Sequence, residues 1–367
     1  MTEPAFQPNW ASPPGETILS ILRARDISVY KFSELVGLPE QEALRLLSGK
    51  YPIDSNLAKR ISAKFGSTPR FWTERERRYQ SNLKTLALRR PELEQWFRAF
   101  PVAKMREMGW ISKFTSPAEA PFELLDFFAV STVEQWKDEH ANRLERIKFR
   151  TSSTFENSTT ATTAWLRRGE LVAEEMSCKS WNPEGFRKSL SGLKSLSMER
   201  SPRAFVPRLQ TECAKYGVAV VVERCPSGCA ASGATLRLES GRGLLLLSAR
   251  FLSDDHFWFS FFHEAAHLIL HGVELRIEGE GLSGTSTQET EANQFAQRIL
   301  LEPHGESALK ALPINKFAIA RFARRCGVSP GIIVGQLQNK KRLSPGRFNA
   351  FKTRYKVADF TRGSAQV

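Results

Sequence analysis

The feature that most constrains the fold is a long apolar stretch, residues 257–271, in which ionisable side chains recur at helical spacing. The stretch contains no proline or glycine, and its spacing of apolar residues predicts a buried α-helix. His263 and His267 stand four residues apart within it. On a helix, that spacing places two side chains about 40° apart around the axis and roughly 6 Å apart along it. Both imidazoles can therefore face one metal ion.

Residues 263–267 read HEAAH, which supplies two metal ligands and a general base at the spacing that metal-assisted hydrolysis needs. Burying two histidines and Glu264 among apolar residues is unfavourable without a partner, which favours a metal over core histidines bonded to backbone. Zinc acidifies a bound water, and Glu264 would accept its proton. His271 lies about 80° and 12 Å from His263 on the same helix. We therefore expect His271 to support the ligands rather than to bind the ion.

A catalytic zinc site needs a third protein ligand and an open position. Candidates lie on a second predicted helix, residues 289–301. Glu289 and Glu291 flank its apolar stripe on opposite sides, so helical geometry alone leaves both open.

The motif FFHEAAHLILH, followed about 20 residues later by EANQFA, resembles the ImmA/IrrE family of metallopeptidases. The resemblance covers about residues 204–305. That family's third ligand is the glutamate that directly precedes Ala-Asn, which corresponds to Glu291. One departure is Ala265-Ala266, where the family usually has a large aliphatic residue and glycine; we expect no loss of the site. The resemblance implies a gluzincin-like fold and one catalytic Zn²⁺ held by His263, His267 and Glu291.

The first 80 residues pattern as short amphipathic helices with tight connections. Ser28 is a predicted N-cap, Gly37 ends the helix that it begins, and Pro39 opens the next, residues 40–47. A further helix is predicted over residues 55–65. Two helices joined across residues 37–39 have the form of a helix-turn-helix.

This segment resembles HigA-type antitoxins, through Pro-Gly-Glu at residues 14–16, Leu-Ser-Gly-Lys at 47–50 and Phe-Trp at 71–72. The candidate DNA contacts are Lys31, Gln41, Arg45 and Lys50. The second helix departs from the pattern, because its first turn carries two glutamates where base-reading side chains are expected. Carboxylates repel phosphates, so a dimerisation or partner-docking module is the alternative.

The middle of the chain is predicted to be connecting helices, with a Ser/Thr-rich loop at residues 152–163. After residue 201 we predict a helix over 204–216 and then three short strands, at 218–223, 235–238 and 244–248. Glycine-containing turns separate the strands, which indicates a small antiparallel sheet. A glycine-rich loop is predicted over 278–287.

The C-terminal segment is strongly basic, with about 13 Lys/Arg against one acid from residue 310 to the end. Its helix-turn-helix pattern over 317–338 has two interpretations. It could contact nucleic acid through Arg324, Arg325, Lys340, Lys341 and Arg342. Similarity to fused ImmA/IrrE-like proteins favours instead a helical tail packed on the peptidase.

Composition adds limits to these interpretations. The chain has 367 residues, a formal net charge of +14 and five cysteines. An odd number of cysteines suggests reduced thiols in a cytosol. Cys225 and Cys229 are the only close pair, and ordinary loop cysteines are favoured over a structural zinc because no further ligands lie nearby. No apolar run approaches the roughly 20 residues that cross a bilayer, and residues 1–14 do not read as a signal peptide.

Together these features predict an α+β protein in four parts. These are a helix-turn-helix domain (1–82), a helical connector (83–200), a metallopeptidase domain (201–305) and a packed basic tail (306–367). We expect a cytoplasmic, zinc-dependent endopeptidase that cleaves a regulatory protein, with DNA or a partner bound by the N-terminal domain and homodimerisation left open. The alternative is a DNA-binding repressor or antitoxin whose zinc site is structural or vestigial.

Overall fold

The computed structural model describes residues 11–113, 119–141, 159–272, 276–279 and 287–360. The chain divides into two compact units. The first comprises Met1–Arg98 with Thr115–Gln135, and the second comprises Ala99–Phe114 with Trp136–Val367. Within the described ranges, no helix is both long enough and apolar enough to cross a membrane.

The first unit is all helical. Its helices are α1 (Pro14–Ala24), α2 (Val29–Val36), α3 (Glu40–Leu47), α4 (Ser55–Phe65), α5 (Pro69–Arg98), α7 (Ala120–Phe128) and the short α8 (Val133–Trp136), whose last residue begins the second unit. Its core includes Phe32, Leu46, Ile61 and Trp72, all almost completely buried.

The predicted helix-turn-helix is present as α2 and α3, and local sequence explains its boundaries. The Ser28 hydroxyl accepts a hydrogen bond from the Lys31 backbone N–H, which caps α2. Gly37 ends that helix with φ of 63°, a left-handed conformation that glycine adopts without a Cβ clash. Pro39 then precedes α3. The predicted bounds of α3 and α4 are confirmed.

The second unit contains helices on both sides of a small sheet. Its helices are α6 (Val102–Glu107), α9 (Thr159–Glu174), α10 (Pro183–Leu193), α11 (Pro202–Ala214), α12 (Asp254–Leu270), α13 (Thr287–Leu301), α14 (Gly305–Lys310), α15 (Lys316–Cys326) and α16 (Pro330–Asn339). Its strands are β1 (Val218–Val222), β2 (Ala231–Arg237), β3 (Gly243–Leu247) and β4 (Arg276–Gly279).

The sheet is mixed, so the prediction of an antiparallel sheet is wrong in part. The strand order is β1-β3-β2-β4. Strand β3 pairs antiparallel with β2 but parallel with β1, and β4 pairs antiparallel with β2. Apolar runs identify strands but carry no information on their order. The start of the predicted loop at 278–287 belongs to β4, and its remainder lies outside the described residues except for Thr287, which begins α13.

Helices α9 and α12 cover opposite faces of this sheet. A Cβ at Gly169 of α9 would lie 2.6 Å from Leu246 of β3, whereas a Cβ at Gly243 of the same strand would face Leu268 of α12. Residues three apart on a strand point to opposite faces. Because α9 begins at Thr159, the last part of the predicted Ser/Thr-rich loop is helical; residues 152–158 lie outside the described residues.

The basic tail packs into the core of the second unit. Helix α16 lies against α12, and it buries Ile332, Ile333, Val334 and Leu337. The Arg342 guanidinium donates to the Leu309 carbonyl at 2.6 Å. A helix buried on this scale cannot present base-reading side chains to a DNA groove. Contact of nucleic-acid phosphates with Arg324, Arg325, Lys340, Lys341 and Arg342, of which all but the last are exposed, stays a prediction.

A buried carboxylate joins the tail to the start of α12. Asp254 accepts hydrogen bonds from the Ser329 hydroxyl at 2.6 Å and from the Thr353 backbone N–H at 3.1 Å. A Cβ at Gly331 would lie 2.5 Å from the Asp254 carboxylate oxygens, so glycine makes room for them. Burial, helped by the neighbouring Asp255 charge and opposed by the Ser329 hydrogen bond, raises the pKa of Asp254 to about 6.

This shift predicts how the stability of the second unit depends on pH. The folded pKa of Asp254 lies above the unfolded value of about 3.9, so the folded state holds the proton more tightly. The resulting stability is fully present below about pH 4 and is lost as pH rises through about 6, a change on the order of 2–3 kcal/mol. Asp254→Asn should remove this dependence, measured as the free energy of urea unfolding from pH 4 to 7. If the free energy of unfolding changed with pH in the same way in the wild type and the variant, this role of Asp254 would be contradicted.

Candidate metal centre

The HEAAH residues lie in the buried middle of α12. His263 and His267 are 1% and 2% exposed, and Glu264 is fully buried. The Nε2 atoms of His263 and His267 lie 3.0 Å apart, so both imidazoles point to one position, as the four-residue spacing predicts.

Glu289, in the first turn of α13, completes this group. Its two carboxylate oxygens lie 3.2 Å from His263 Nε2 and 3.3 Å from His267 Nε2. Donor atoms around a tetrahedral zinc with bonds of about 2.05 Å are separated by about 3.3 Å. The three donor atoms therefore fit one such ion, and among the described residues they form the only cluster of three metal-ligating groups.

The structure does not bring Glu291 to the two histidines, so the prediction of Glu291 as third ligand is corrected to Glu289. Residues two apart on a helix are about 200° apart around its axis, and only one of the two can face His263 and His267. Glu291 instead contacts His271, with 2.9 Å between its carboxylate oxygen and His271 Nε2.

The remaining imidazole nitrogens are held by neighbouring side chains. His267 Nδ1 lies 3.0 Å from His271 Nδ1, and His263 Nδ1 lies 3.1 Å from the Asn293 side-chain oxygen. These contacts are satisfied when His271 Nε2–H donates to Glu291, His267 Nδ1–H donates to His271, and His263 Nδ1–H donates to Asn293. Both Nε2 lone pairs then remain available for a metal.

The charge of Glu289 suits a cation. Burial alone would raise its pKa, but hydrogen bonds and charge from His263 and His267 outweigh burial and hold the pKa of Glu289 well below its usual value. The carboxylate is therefore ionised, and with a metal in place of the histidine protons the donor set would consist of two neutral imidazoles and one anion. Zinc accepts such a set.

Gly233 of β2 makes the space that Glu264 occupies. A Cβ at Gly233 would lie 2.5 Å from a Glu264 carboxylate oxygen and 2.8 Å from its Cδ. Real Cβ contacts are essentially never that short. Because Gly233 has no side chain, strand β2 leaves room for the Glu264 carboxylate at this position.

Gly233→Ala should displace Glu264 and reduce any peptidase activity by about tenfold to a hundredfold while a metal stays bound, since the three atoms nearest the added methyl group all belong to Glu264 and none to a metal ligand. Gly243→Ala is the matched control, because its Cβ would meet Leu268 at an ordinary 3.4 Å. Product formation and metal content would be measured together for both variants. Equal activity in the two would refute the role of Gly233.

The four residues predicted to contact DNA all lie in the first unit and are exposed: Lys31, Gln41, Arg45 and Lys50. Lys31 on α2 forms an ion pair with Glu34 at 3.0 Å. The other three lie on or just after α3, whose first turn carries Glu40 and Glu42. Their contact with DNA stays a prediction.

Comparison with known families identifies the segment that carries the metal centre. Residues 213–337 match the family model of the M78 peptidases, described as the IrrE N-terminal-like domain. This segment is similar to the IrrE N-terminal-like domain. The IrrE-like segment contains the whole sheet, α12 and α13, and it extends through α15 into α16. The matching family and the His-His-Glu cluster support a metallopeptidase-type enzyme.

Two solved structures are similar to part of the chain. A putative antidote protein of a plasmid maintenance system from Nostoc punctiforme is 28% identical, with a TM-score of 0.22, and the match covers 24% of this chain and 94% of that one. A HigA-family addiction module antidote protein from Coxiella burnetii is 22% identical, with a TM-score of 0.21, and the match covers 23% of this chain and 92% of that one. No curated protein matches the chain significantly.

Sequence reasoning missed two residues of the site besides the choice of Glu289. Asn293 appears in the quoted motif, and its position one turn after Glu289 could have indicated a shared face. Gly233 gave no signal, because its role depends on strand β2 passing directly over Glu264.

Proposed function

We propose that the chain is a zinc-dependent endopeptidase that cleaves a regulatory protein, and that His263, His267 and Glu289 hold the ion. The observation that carries this proposal is the convergence of three donor atoms at about 3 Å spacing beside a buried glutamate. A structural zinc site closes with four protein ligands, whereas the part of the chain that the structure describes offers three here, which would leave one position for water or substrate.

Zinc bound there would polarise the scissile carbonyl and acidify water. The chain's own residues supply the rest. Glu264 would accept the proton of the attacking water and pass it to the leaving amine. Asn293 and His271 keep the two imidazoles oriented, and Glu291 fixes His271. Gly233 leaves room for the Glu264 carboxylate, and burial of Glu264 limits its access to bulk solvent.

The proposed substrate class rests on the other domain of the same chain and on the proteins to which the chain is similar. The same chain carries a helix-turn-helix in its first unit, and both similar solved structures are described as antidote proteins. A regulatory module joined to a peptidase favours a regulatory protein as the substrate. The resemblance to ImmA/IrrE proteins points the same way.

The test is a comparison of protein N-termini in cells that express the wild type or Glu264→Gln at equal levels. New N-termini that appear only with the wild type, and that map to one or a few transcriptional regulators, are the expected result. The same set of N-termini in both strains would refute the proposal. New N-termini spread over many unrelated proteins would support a peptidase but refute the narrow substrate class.

DNA binding by the first unit is the second candidate function. The exposed side chains of Arg45 and Lys50 near the end of α3 support it, whereas Glu40 and Glu42 at the start of α3 oppose it. We expect a salt-dependent mobility shift with the protein's own promoter that Arg45→Ala weakens. Arg187→Ala, in α10 of the second unit, is the control that should leave the shift unchanged. A shift that is absent at low salt would favour a partner-docking role instead.

A further inference from the structure

The loop between β1 and β2 brings two thiols together. Cys225 Sγ and Cys229 Sγ lie 2.9 Å apart, and both side chains are half-buried. A disulfide bond is about 2.05 Å long, so the sulfurs need to approach by less than about 1 Å to bond. Gly228, with φ of 87°, makes the tight turn that closes this four-residue spacing.

The two thiols have unequal surroundings. The hydrogen bond between the Cys225 and Cys229 sulfurs lowers the pKa of Cys229, and it outweighs burial, which would raise this pKa; the Thr162 hydroxyl and the Arg250 charge also lower it. Burial raises the pKa of Cys225. Together with the contact of Cys225 Sγ to the Ala231 carbonyl at 3.5 Å, these surroundings favour Cys229 as the attacking sulfur of the pair.

The other three cysteines lack these features. Cys213 and Cys326 are buried, and burial raises the pKa of both. Cys178 is half-buried, and its pKa is also raised by burial. The Cys225–Cys229 pair belongs to no cluster of three metal-ligating groups among the described residues. These observations favour thiol chemistry over metal binding at the pair.

We propose that Cys225 and Cys229 form a redox-active pair that a hydroperoxide oxidises to an intramolecular disulfide. The Cys229 thiolate attacks the peroxide, an S–O bond forms as the O–O bond breaks, and the leaving hydroxide takes a proton to become water. Cys225 sulfur then attacks Cys229 sulfur, the S–S bond forms as the S–O bond breaks, and the departing hydroxide takes the Cys225 proton. Two thiols and one hydrogen peroxide thus give one disulfide and two waters.

The test follows thiol alkylation in the full-length protein after brief exposure to hydrogen peroxide. Trypsin cuts after Arg224 and Arg237, so both cysteines fall in the single peptide 225–237. We expect this peptide to become unreactive to alkylation and lighter by two hydrogen atoms, at least about tenfold faster than Cys178 is oxidised. A reductant should restore both thiols.

Two variants assign the roles of the sulfurs. Cys225→Ser should leave a sulfenic acid on Cys229 that dimedone traps, whereas Cys229→Ser should leave Cys225 unreactive. Circular dichroism would show that both variants fold. If the wild-type peptide keeps two alkylatable thiols, or is oxidised no faster than Cys178, the proposal is wrong. Because the readout is peptide mass, the result does not depend on whether the chain proves to be a peptidase.

Discussion

Replacing Glu264 by glutamine should abolish cleavage while leaving the metal bound. Glutamine keeps the size of the side chain but cannot accept a proton, and removing a general base costs about 10²–10⁴ in rate. The ligands His263, His267 and Glu289 are untouched, so metal content should equal that of the wild type. The measurement is the rate of product formation from the identified substrate, with metal content determined on the same preparation.

Glu184→Gln is the matched control for Glu264→Gln, since it is the same substitution at an exposed glutamate in the first turn of α10. It should leave the rate within about twofold of the wild type, if the protein folds. A Glu264→Gln variant that retains wild-type activity would mean that another group accepts the proton or that the cleavage comes from a contaminant. A variant that loses metal as well would assign Glu264 a part in metal binding.

The second large effect distinguishes Glu289 from Glu291. Glu289→Ala should lower zinc affinity by much more than a hundredfold, because it removes one of three ligands. Glu291→Ala should lower it by about tenfold to a hundredfold at most, because Glu291 acts through His271 on a ligand. Competition with a chromophoric chelator measures both dissociation constants.

The two glutamates make a matched pair, since they stand two residues apart on the same helix and undergo the same substitution. The reverse order of effects would restore Glu291 as the third ligand. Equal and small effects would mean that neither glutamate binds the ion. Circular dichroism of both variants separates a loss of affinity from a loss of fold.

The choice between these glutamates also shows where sequence reasoning ended. The spacing of His263 and His267 fixed their common direction, because both lie on one helix with known geometry. Glu289 and Glu291 lie on a second helix, and which of them faces the histidines depends on how α13 rotates against α12. The packing of the two helices sets that rotation, and the sequence motif carries no information about this packing. Sequence resemblance favoured Glu291, whereas the structure places Glu289 beside the two histidines.

The same limit appears in the fold. Local signals predicted α2, α3 and α4 well, because a helix end depends on the few residues next to it. Ser28 and Gly37 flank α2, and Gly66 directly follows α4. The parallel pairing of β1 with β3 depends instead on contacts between residues about 25 apart, such as Val218 with Gly243. The short strand β4 was missed because its four residues lie beside glycines that predicted a loop.

Anomalous diffraction at the zinc absorption edge, from crystals of the protein as purified, tests the metal centre most directly. We predict a single anomalous peak contacted by His263, His267 and Glu289, with Glu264 beside it and Glu291 on His271. A peak coordinated by Glu291 would contradict the ligand assignment. A fully formed site with no peak, in protein that also lacks zinc by elemental analysis and does not take it up, would contradict the metallopeptidase itself.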